Sequence, residues 1–331
     1  MPLAVVHSLD AWAARLASRR PSALTVGNFD GLHLGHQKIL CGVVERARAM
    51  GALAAAVTFD PHPLKILRPA EAPPLIATLA QRLAGLEQQG LEAALVLRFD
   101  REFARLSPEE FVRDILVEKL AMRAVLVGEN FRFGYQQAGD VQSLAALGCR
   151  FAFDVEIVPP VVIRGQMVSS TAIREAVQQG KVERAARLLG RPPVLTGEVR
   201  PGSGRGARLL FPTLNLAPEQ ELRPPIGVYA TETRVAGRLY RSATNVGVRP
   251  TFDGKGLTVE SYLFDFSKKI TSGPMEVHFW KRLREERKFS GPEALRAQIE
   301  KDLLRARSFF ARFDRAKARD LARLRTARKP V

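Results

Sequence analysis

The sequence predicts two domains of different class: an α/β domain with a parallel sheet over residues 1–190, and a small antiparallel β domain with a C-terminal helix over residues 191–331. Three observations lead to this prediction. The length of 331 residues corresponds to about two domains. Up to residue 190, short apolar runs alternate with helical stretches, which is typical of βαβ units. After Arg191-Pro192-Pro193, glycine and proline separate short strands without intervening helices, as in small antiparallel barrels or sandwiches.

In the first domain, each predicted strand is an apolar run and each predicted helix has helical periodicity. The strands are predicted at 23–26, 53–59, 93–99 and 124–127. The helices are predicted at 36–50, 76–89, 108–119, 171–179 and 182–189. Ligands bind such sheets at the carboxyl ends of the strands. The segments that directly follow the strands are therefore where binding residues are expected.

In the second domain, strands are predicted at 197–199, 227–233, 242–246, 259–264 and 276–280. A helix that begins at Pro292 closes the chain. Apolar residues recur in it at helical spacing, with arginine and lysine between them: Leu303, Phe310, Phe313, Leu321 and Leu324. This pattern predicts an amphipathic helix with a basic face toward solvent.

The composition limits the classes of partner. The net charge is +17, and residues 191–331 carry most of it, with 29 basic against 15 acidic residues. We interpret the excess mainly as a solvated helix face, so no nucleic-acid partner is predicted; binding to an anionic surface is the alternative. No apolar run approaches the ~18 residues of a membrane span, and the N-terminus is a poor signal peptide. Two cysteines without a paired framework predict a cytoplasmic location.

The first motif is GNFDGLHLGH, residues 27–36, where the first strand meets the first helix. Nucleotide phosphates approach backbone amides at this position in open α/β sheets. Glycines at 27, 31 and 35 allow close approach, and His33 and His36 can donate hydrogen bonds to phosphate oxygens. Two alternatives are half of a metal site, for which few other histidines are present, and a structural histidine that caps the turn.

Two further segments follow predicted strands. TFDPHP (58–63) and GENFRFG (128–134) contribute Phe59, Phe131 and Phe133, which suit a flat ring, although core packing explains any one of them equally well. Asn130 is a candidate to hold an adenine or ribose. Downstream, SSTAIR (169–174) predicts a helix whose cap is Ser170 or Thr171 and whose hydroxyl and Arg174 hold the β- and γ-phosphates. Taken alone, this segment would be a plain helix cap.

Segment 27–36 resembles the HxGH signature of the nucleotidylyltransferase superfamily, and the four segments together resemble the FAD synthetase module of bacterial bifunctional riboflavin kinase/FAD synthetases over 15–190. The resemblance implies a Rossmann-like nucleotidylyltransferase domain that transfers the adenylyl group of ATP to FMN. In this chemistry His33, His36, Ser170 and Arg174 stabilise charge on the triphosphate. The predicted nucleotide-binding residues of this domain are Gly27, Phe29, Asp30, Gly31, His33, Gly35, His36, Asn130, Ser170, Thr171 and Arg174.

Residues 197–216, GEVRPGSGRGARLLFPTLNL, contain no Walker P-loop. Gly202, Gly204 and Arg205 can nevertheless bind phosphates through backbone amides and positive charge. Thr213 and Asn215 are two apart on an extended segment, so they point to one side. Their neutral oxygens suit Mg²⁺. A flexible turn is the alternative reading of the glycine-rich loop.

Segments 225–230, 245–251, 259–265 and 284–289 follow in the order of the riboflavin kinase module, which residues 191–310 resemble. The resemblance implies an antiparallel β-barrel and makes Glu260 the general base that accepts the proton of riboflavin's 5′-hydroxyl. Without the family, Glu260 would be a surface carboxylate on an edge strand. The implied flavin-binding residues are Phe59, Phe131 and Glu260. The sequence differs from the usual pattern of this family at Leu210-Phe211 and at 270–273. These differences remove none of the residues predicted to bind phosphate, to bind metal or to act as the base.

The sequence therefore predicts a bifunctional enzyme that phosphorylates riboflavin to FMN and adenylylates FMN to FAD, with ATP as co-substrate and Mg²⁺ as cofactor in both reactions. Two alternatives remain at this point. One is a nucleotidylyltransferase with another acceptor, fused to an unrelated barrel. The other is a non-catalytic nucleic-acid-binding protein, which only the charge of +17 favours.

Overall fold

The computed structural model describes residues 2–17, 20–201, 211–251 and 254–327, with the backbone alone at 17, 249–251, 254–256 and 320–327. The chain folds into two compact units, residues 1–172 and 173–331. Each unit has its own hydrophobic core. Within the described part of the chain, no helix combines the length and the apolar composition that a membrane span requires.

The first unit contains a parallel sheet, as predicted, and this sheet has six strands, of which four were predicted. The strands, in chain order, are β1 Ala4–Val6, β2 Ser22–Val26, β3 Leu53–Asp60, β4 Ala93–Arg98, β5 Met122–Gly128 and β6 Asp154–Val158. Their spatial order is β1-β4-β3-β2-β5-β6. All five residues of β2 are buried, because helices cover both faces of a parallel sheet. Leu24 and Ala23 accordingly belong to two different core clusters, one on each face.

The helices of this unit lie between the strands. They are α1 Leu9–Trp12, α2 Leu34–Met50, α3 Pro63–Leu67, α4 Leu79–Gln88, α5 Pro108–Glu110 and α6 Val141–Phe151. Helix α5 continues as a π-helix over Phe111–Lys119. A two-stranded hairpin, β7 Val162–Ile163 with β8 Gln166–Met167, precedes helix α7, Ser170–Gln178. Helix α7 spans the division between the two units.

The second unit contains a closed six-stranded barrel in which every neighbouring pair is antiparallel. This observation selects the barrel over the sandwich. Helix α8, Val182–Leu189, precedes the barrel. The barrel strands are β9 Val194–Arg200, β10 Leu214–Pro218, β11 Gly227–Val235, β12 Arg238–Thr251, β13 Gly254–Leu263 and β14 Pro274–Arg284. Their spatial order is β10-β13-β12-β11-β14-β9.

The barrel core is apolar at its centre, where Tyr229 and Phe279 are completely buried and their rings meet edge to face at 5.3 Å. Helix α9, Pro292–Ala327, packs its Ala306 and Phe310 against residues of the barrel wall. The side chains described beyond Phe313 on this helix are exposed. The predicted amphipathic helix with a basic solvent face is therefore present up to residue 319, whereas the side chains of Leu321 and Leu324 lie outside the described residues.

Candidate active sites

The turn between β2 and α2 carries the first motif. Three of its residues have positive φ: Phe29 (47°), Gly31 (83°) and Leu32 (43°). Glycine suits this region, whereas Phe29 and Leu32 occupy it against the usual steric preference. Both are nearly completely buried, 2% and 3% exposed, so core packing holds the turn in its conformation. Gly27 and Gly35, at either end of the turn, lie against the rings of Phe29 and His33 respectively.

His33 caps helix α2. Its Nδ1 accepts a hydrogen bond from the backbone N–H of His36 at 3.2 Å. Because Nδ1 is the acceptor, the proton of a neutral His33 ring lies on Nε2, which leaves Nε2 as its donor. The structural role that the sequence left as an alternative is therefore present, and it selects the tautomer that can donate to a phosphate.

His36 stacks on His33, with ring centroids 3.6 Å apart and the planes 15° from parallel. Phe29 meets His36 edge-on at 5.4 Å. Burial, and secondarily the neighbouring His33, lowers the pKa of His36 well below its ordinary value of 6.5. The Nδ1 atom of His36 has no hydrogen-bond partner among the described residues. At neutral pH this residue is therefore an uncharged imidazole at the start of the helix.

Asp30 is 3% exposed. Its carboxylate accepts hydrogen bonds from the backbone N–H groups of Ile76 and Ala77 at 3.0 Å. The predicted nucleotide contact of Asp30 stays a prediction. Through these hydrogen bonds, the Asp30 side chain connects the turn to the segment that precedes α4.

The second motif lies beside the first. The Ser170 hydroxyl donates to the backbone oxygen of Asp30 at 3.1 Å, so segments 140 residues apart meet at the start of α7. The predicted cap was wrong by one or two residues: Ser169, not Ser170 or Thr171, accepts from the Ala172 N–H, because α7 begins at Ser170. Ser170 is thereby available for the turn.

The remaining residues of the second motif occupy the same helix. Thr171 is exposed in the first turn of α7. Arg174 is partly buried one turn after Ser170 and belongs to the second compact unit.

The aromatic residues predicted to bind flavin lie at the edge of a core cluster. Phe59 and Phe131 are both partly buried. Phe59 packs edge-on against Phe99 at 5.6 Å, and Phe131 stacks on Phe133 at 5.4 Å. One side of each ring is therefore packed against other aromatic rings of the core. Asn130, which follows β5, is exposed.

Sequence reasoning missed Arg82. This residue of α4 is 3% exposed, and its Nη1 donates to the backbone oxygen of Asn28 at 3.0 Å and to that of Phe59 at 3.1 Å. Both motifs at the ends of β2 and β3 are thus bound to one guanidinium. The sequence carries no signal for this role, because an arginine on a helix is usually solvated.

In the barrel, Asn215 of β10 lies directly opposite Glu260 of β13, and Asn245 of β12 lies opposite Glu260 on its other side. Side chains opposite each other in an antiparallel pair share a face. Glu260, Asn215 and Thr213 are all partly buried. The predicted base and a predicted Mg²⁺ ligand are therefore neighbours. The predicted phosphate contacts Gly202, Gly204 and Arg205 lie outside the described residues.

The amino-acid sequence matches two family models. The model described as FAD synthetase matches residues 16–172, and the model described as Riboflavin kinase matches residues 189–310. The chain is similar to the bifunctional riboflavin kinase/FMN adenylyltransferase of Haemophilus influenzae, with 36% identity over 87% of this chain and 94% of that protein. It is similarly related to the enzyme of the same name from Escherichia coli K12, with 34% identity over 89% and 94%.

Among solved structures, the fold matches a crystal structure described as a macrolide-efflux protein from Streptococcus pneumoniae. The TM-score is 0.82 and the identity 28%, and the match covers 93% of this chain and 99% of that chain.

Proposed function

The chain belongs to the bifunctional riboflavin kinase/FMN adenylyltransferase family, and from this premise we propose which residues perform each of its two reactions. The enzyme phosphorylates riboflavin to FMN and adenylylates FMN to FAD. The observation that supports the adenylylation site best is the hydrogen bond from Ser170 to Asp30. It joins the two segments that contain phosphate-binding groups.

In the adenylylation, an oxygen of the FMN phosphate forms a bond to the α-phosphorus of ATP, and the bond from that phosphorus to the β-phosphate oxygen breaks. Pyrophosphate leaves with the electron pair. Since the second pKa of a phosphate monoester is about 6, the attacking group is already ionised, and no side-chain base is required. Pre-aimed donors lower the barrier by stabilising the developing charge. We assign this to His33 through Nε2, His36, Ser170 and Arg174.

The other predicted residues of this site complete the binding surface. The backbone of the turn, from Gly27 through Gly35, presents amides at the N-terminus of α2, where anions are favoured. Asn130 and Thr171 are both exposed and are proposed to contact the nucleotide. The parts of the Phe59 and Phe131 rings that the core does not cover are proposed to contact the flavin ring.

In the phosphorylation, the carboxylate of Glu260 accepts the proton of riboflavin's 5′-hydroxyl as that oxygen bonds to the γ-phosphorus of ATP. ADP leaves. The register that places Asn215 opposite Glu260 supports this assignment, because the base and the group that orients the phosphates must act on the same reacting atoms. Gly202, Gly204 and Arg205 are proposed to bind the phosphates of ATP in this domain.

The side chains at 213 and 215 fit Mg²⁺. A threonine hydroxyl and an asparagine carboxamide are neutral oxygen ligands, and Mg²⁺ usually retains several waters and binds nucleotide phosphates. Both side chains are partly buried and therefore still open to solvent. When bound, the ion would neutralise charge on the ATP phosphates. Mg²⁺ is likewise proposed to accompany ATP in the first domain.

We place the functional boundary near residue 190. Helix α8 ends at Leu189, the following Gly190 has a left-handed conformation (φ 75°), and the barrel begins at Val194. The second family model begins at residue 189. A cytoplasmic location is proposed from the two free cysteines, Cys41 and Cys149. The proposed partners are ATP, riboflavin, FMN and FAD, without nucleic acid or membrane.

One experiment tests the whole assignment. The full chain is incubated with ATP and Mg²⁺ and with either riboflavin or FMN, and the flavins are separated chromatographically. Riboflavin should yield FMN and then FAD, and FMN should yield FAD with pyrophosphate. If FMN is not consumed but a different phosphate-bearing acceptor is, the first domain transfers its adenylyl group elsewhere. If riboflavin is not consumed, the barrel is not the kinase.

A further inference from the structure

The segment around α4 contacts the phosphate-binding turn at several points. Before the helix, the backbone N–H groups of Ile76 and Ala77 donate to the carboxylate of Asp30. Within the helix, Gly85 lies against Leu32 so closely that a β-carbon there would come within 2.6 Å of the Leu32 side chain. The turn that contains the two histidines thus rests on α4 and the residues before it.

Arg82 lies in the chain between Ala77 and Gly85, and its guanidinium forms hydrogen bonds. Its Nη1 donates to Asn28 O (3.0 Å), Phe59 O (3.1 Å) and Thr58 Oγ1 (3.2 Å). Its Nη2 lies 3.5 Å from a carboxylate oxygen of Asp60. The acceptors come from two segments: Asn28 follows β2, and the other three residues end β3. One planar group therefore bridges the segments at the carboxyl ends of two neighbouring strands.

The burial of this guanidinium requires an explanation. Arg82 is 3% exposed, whereas the side chain of Asp60, with which it forms an ion pair, is 49% exposed. Burial lowers the pKa of Arg82, although the carboxylates of Asp60 and Asp30 oppose this effect. Burying a charge costs free energy unless several hydrogen bonds satisfy it. Here two of the four bonds go to backbone oxygens of the two binding segments, a third goes to the Thr58 hydroxyl, and the longest goes to the Asp60 carboxylate.

We propose that Arg82 is a positioning residue of the FMN adenylyltransferase site, acting through Asn28 on the phosphate-binding turn and through Phe59 on the flavin side. The inference rests on the proposed function, because it assumes that this turn binds the triphosphate. Arg82 holds the donors of the turn and the ring of Phe59 at a set distance. A displacement of about 1 Å in such a site can slow a reaction by about 10²-fold.

The test compares Arg82→Met, Arg82→Lys and Arg46→Met in the full chain. Arg46 is a matched control, since it is an arginine of the same unit whose ion pair with Asp154 is on the surface. We expect Arg82→Met to lower kcat for FMN adenylylation by about 10²-fold, with KM for ATP unchanged and riboflavin phosphorylation unchanged. Arg82→Lys should recover part of kcat, because an ammonium can reach some of the acceptors. Arg46→Met should match the parent enzyme.

A purely structural role would leave kcat per folded molecule unchanged and lower only the unfolding midpoint, and that result overturns the proposal. If Arg82→Met does not fold, the same comparison is made with Arg82→Lys. His33→Ala is measured in parallel. If His33→Ala retains full adenylylation, the proposed site itself is wrong. If His33→Ala loses it while both Arg82 variants keep full kcat, only the positioning role is wrong.

Discussion

Asn215 lies directly opposite Glu260 in the antiparallel pairing of β10 with β13. The two residues are 45 positions apart in the chain, and their β-carbons are expected about 4.5–5.5 Å apart in such a pair. A candidate metal ligand and a candidate base thus share one face of the barrel wall. This relationship leads to predictions that separate the two roles.

Glu260→Gln should lower riboflavin phosphorylation by about 10²–10⁴-fold, the usual contribution of a positioned general base. The amide is nearly isosteric with the carboxylate, so binding of riboflavin and ATP should change little. Turnover and binding are measured separately, by initial rates and by equilibrium titration. FAD synthesis from supplied FMN is the control and should continue. Near-normal phosphorylation in this variant would show that another group is the base.

Asn215→Ala should raise the Mg²⁺ concentration needed for half-maximal phosphorylation, because it removes an oxygen ligand. Thr213→Ala should act in the same direction. The measurement is a Mg²⁺ titration of the initial rate at saturating riboflavin. Glu260→Gln provides the comparison, since it should lower the maximal rate without moving the Mg²⁺ midpoint. If Asn215→Ala lowers the rate at every Mg²⁺ concentration by the same factor, it is not a ligand.

His33 caps helix α2 and is proposed to donate to phosphate, and two substitutions can separate these roles. His33→Ala removes both the phosphate donor and the helix cap, whereas His33→Asn keeps a capping acceptor. Both should slow FMN adenylylation by about 10²–10³-fold. Only His33→Ala should also lose about 0.5–2 kcal/mol of unfolding free energy. Chemical denaturation and FAD synthesis are measured on the same preparations. Riboflavin phosphorylation should survive in both variants, and its loss from a folded variant would contradict the two-site assignment.

The desolvated imidazole of His36 should make stability depend on pH. Its pKa in the folded chain is well below 6.5, so as pH falls through about 6.5 the unfolded chain takes up a proton that the folded chain does not. The free energy of unfolding should therefore decrease as pH falls from about 6.5 toward the folded pKa. In His36→Gln this component of the pH dependence should be absent.

The measurement uses tryptophan fluorescence. The chain has two tryptophans, and Trp12 is completely buried in the core of the first unit. With Trp280→Phe as background, Trp12 reports unfolding of that unit alone. Urea unfolding is followed between about pH 5 and 7.5, and the two slopes are compared. Equal slopes with and without His36 would show that the residue is not the titrating group.

The sequence predicted most of the elements because their signals are local. Apolar runs indicated the four central strands of the parallel sheet, each of which is largely buried. It missed β1, which has three residues, and β6, an edge strand in which only Val158 is buried. It also missed β10, whose run ends in Pro218. Short strands and edge strands show little hydrophobic periodicity in the sequence. They form because they pair with strands that lie elsewhere in the chain.

The sequence by itself determined which residues are candidates for the chemistry: residue type and local spacing indicated two histidines three apart at a strand-to-helix turn, and the resemblance to the riboflavin kinase module indicated Glu260. Only the tertiary structure decided which segments meet. It placed Ser170 on Asp30, Asn215 opposite Glu260, and the guanidinium of Arg82 between Asn28 and Phe59. These contacts join residues 23 to 140 positions apart. They depend on strand register and helix packing, which no local stretch of sequence specifies.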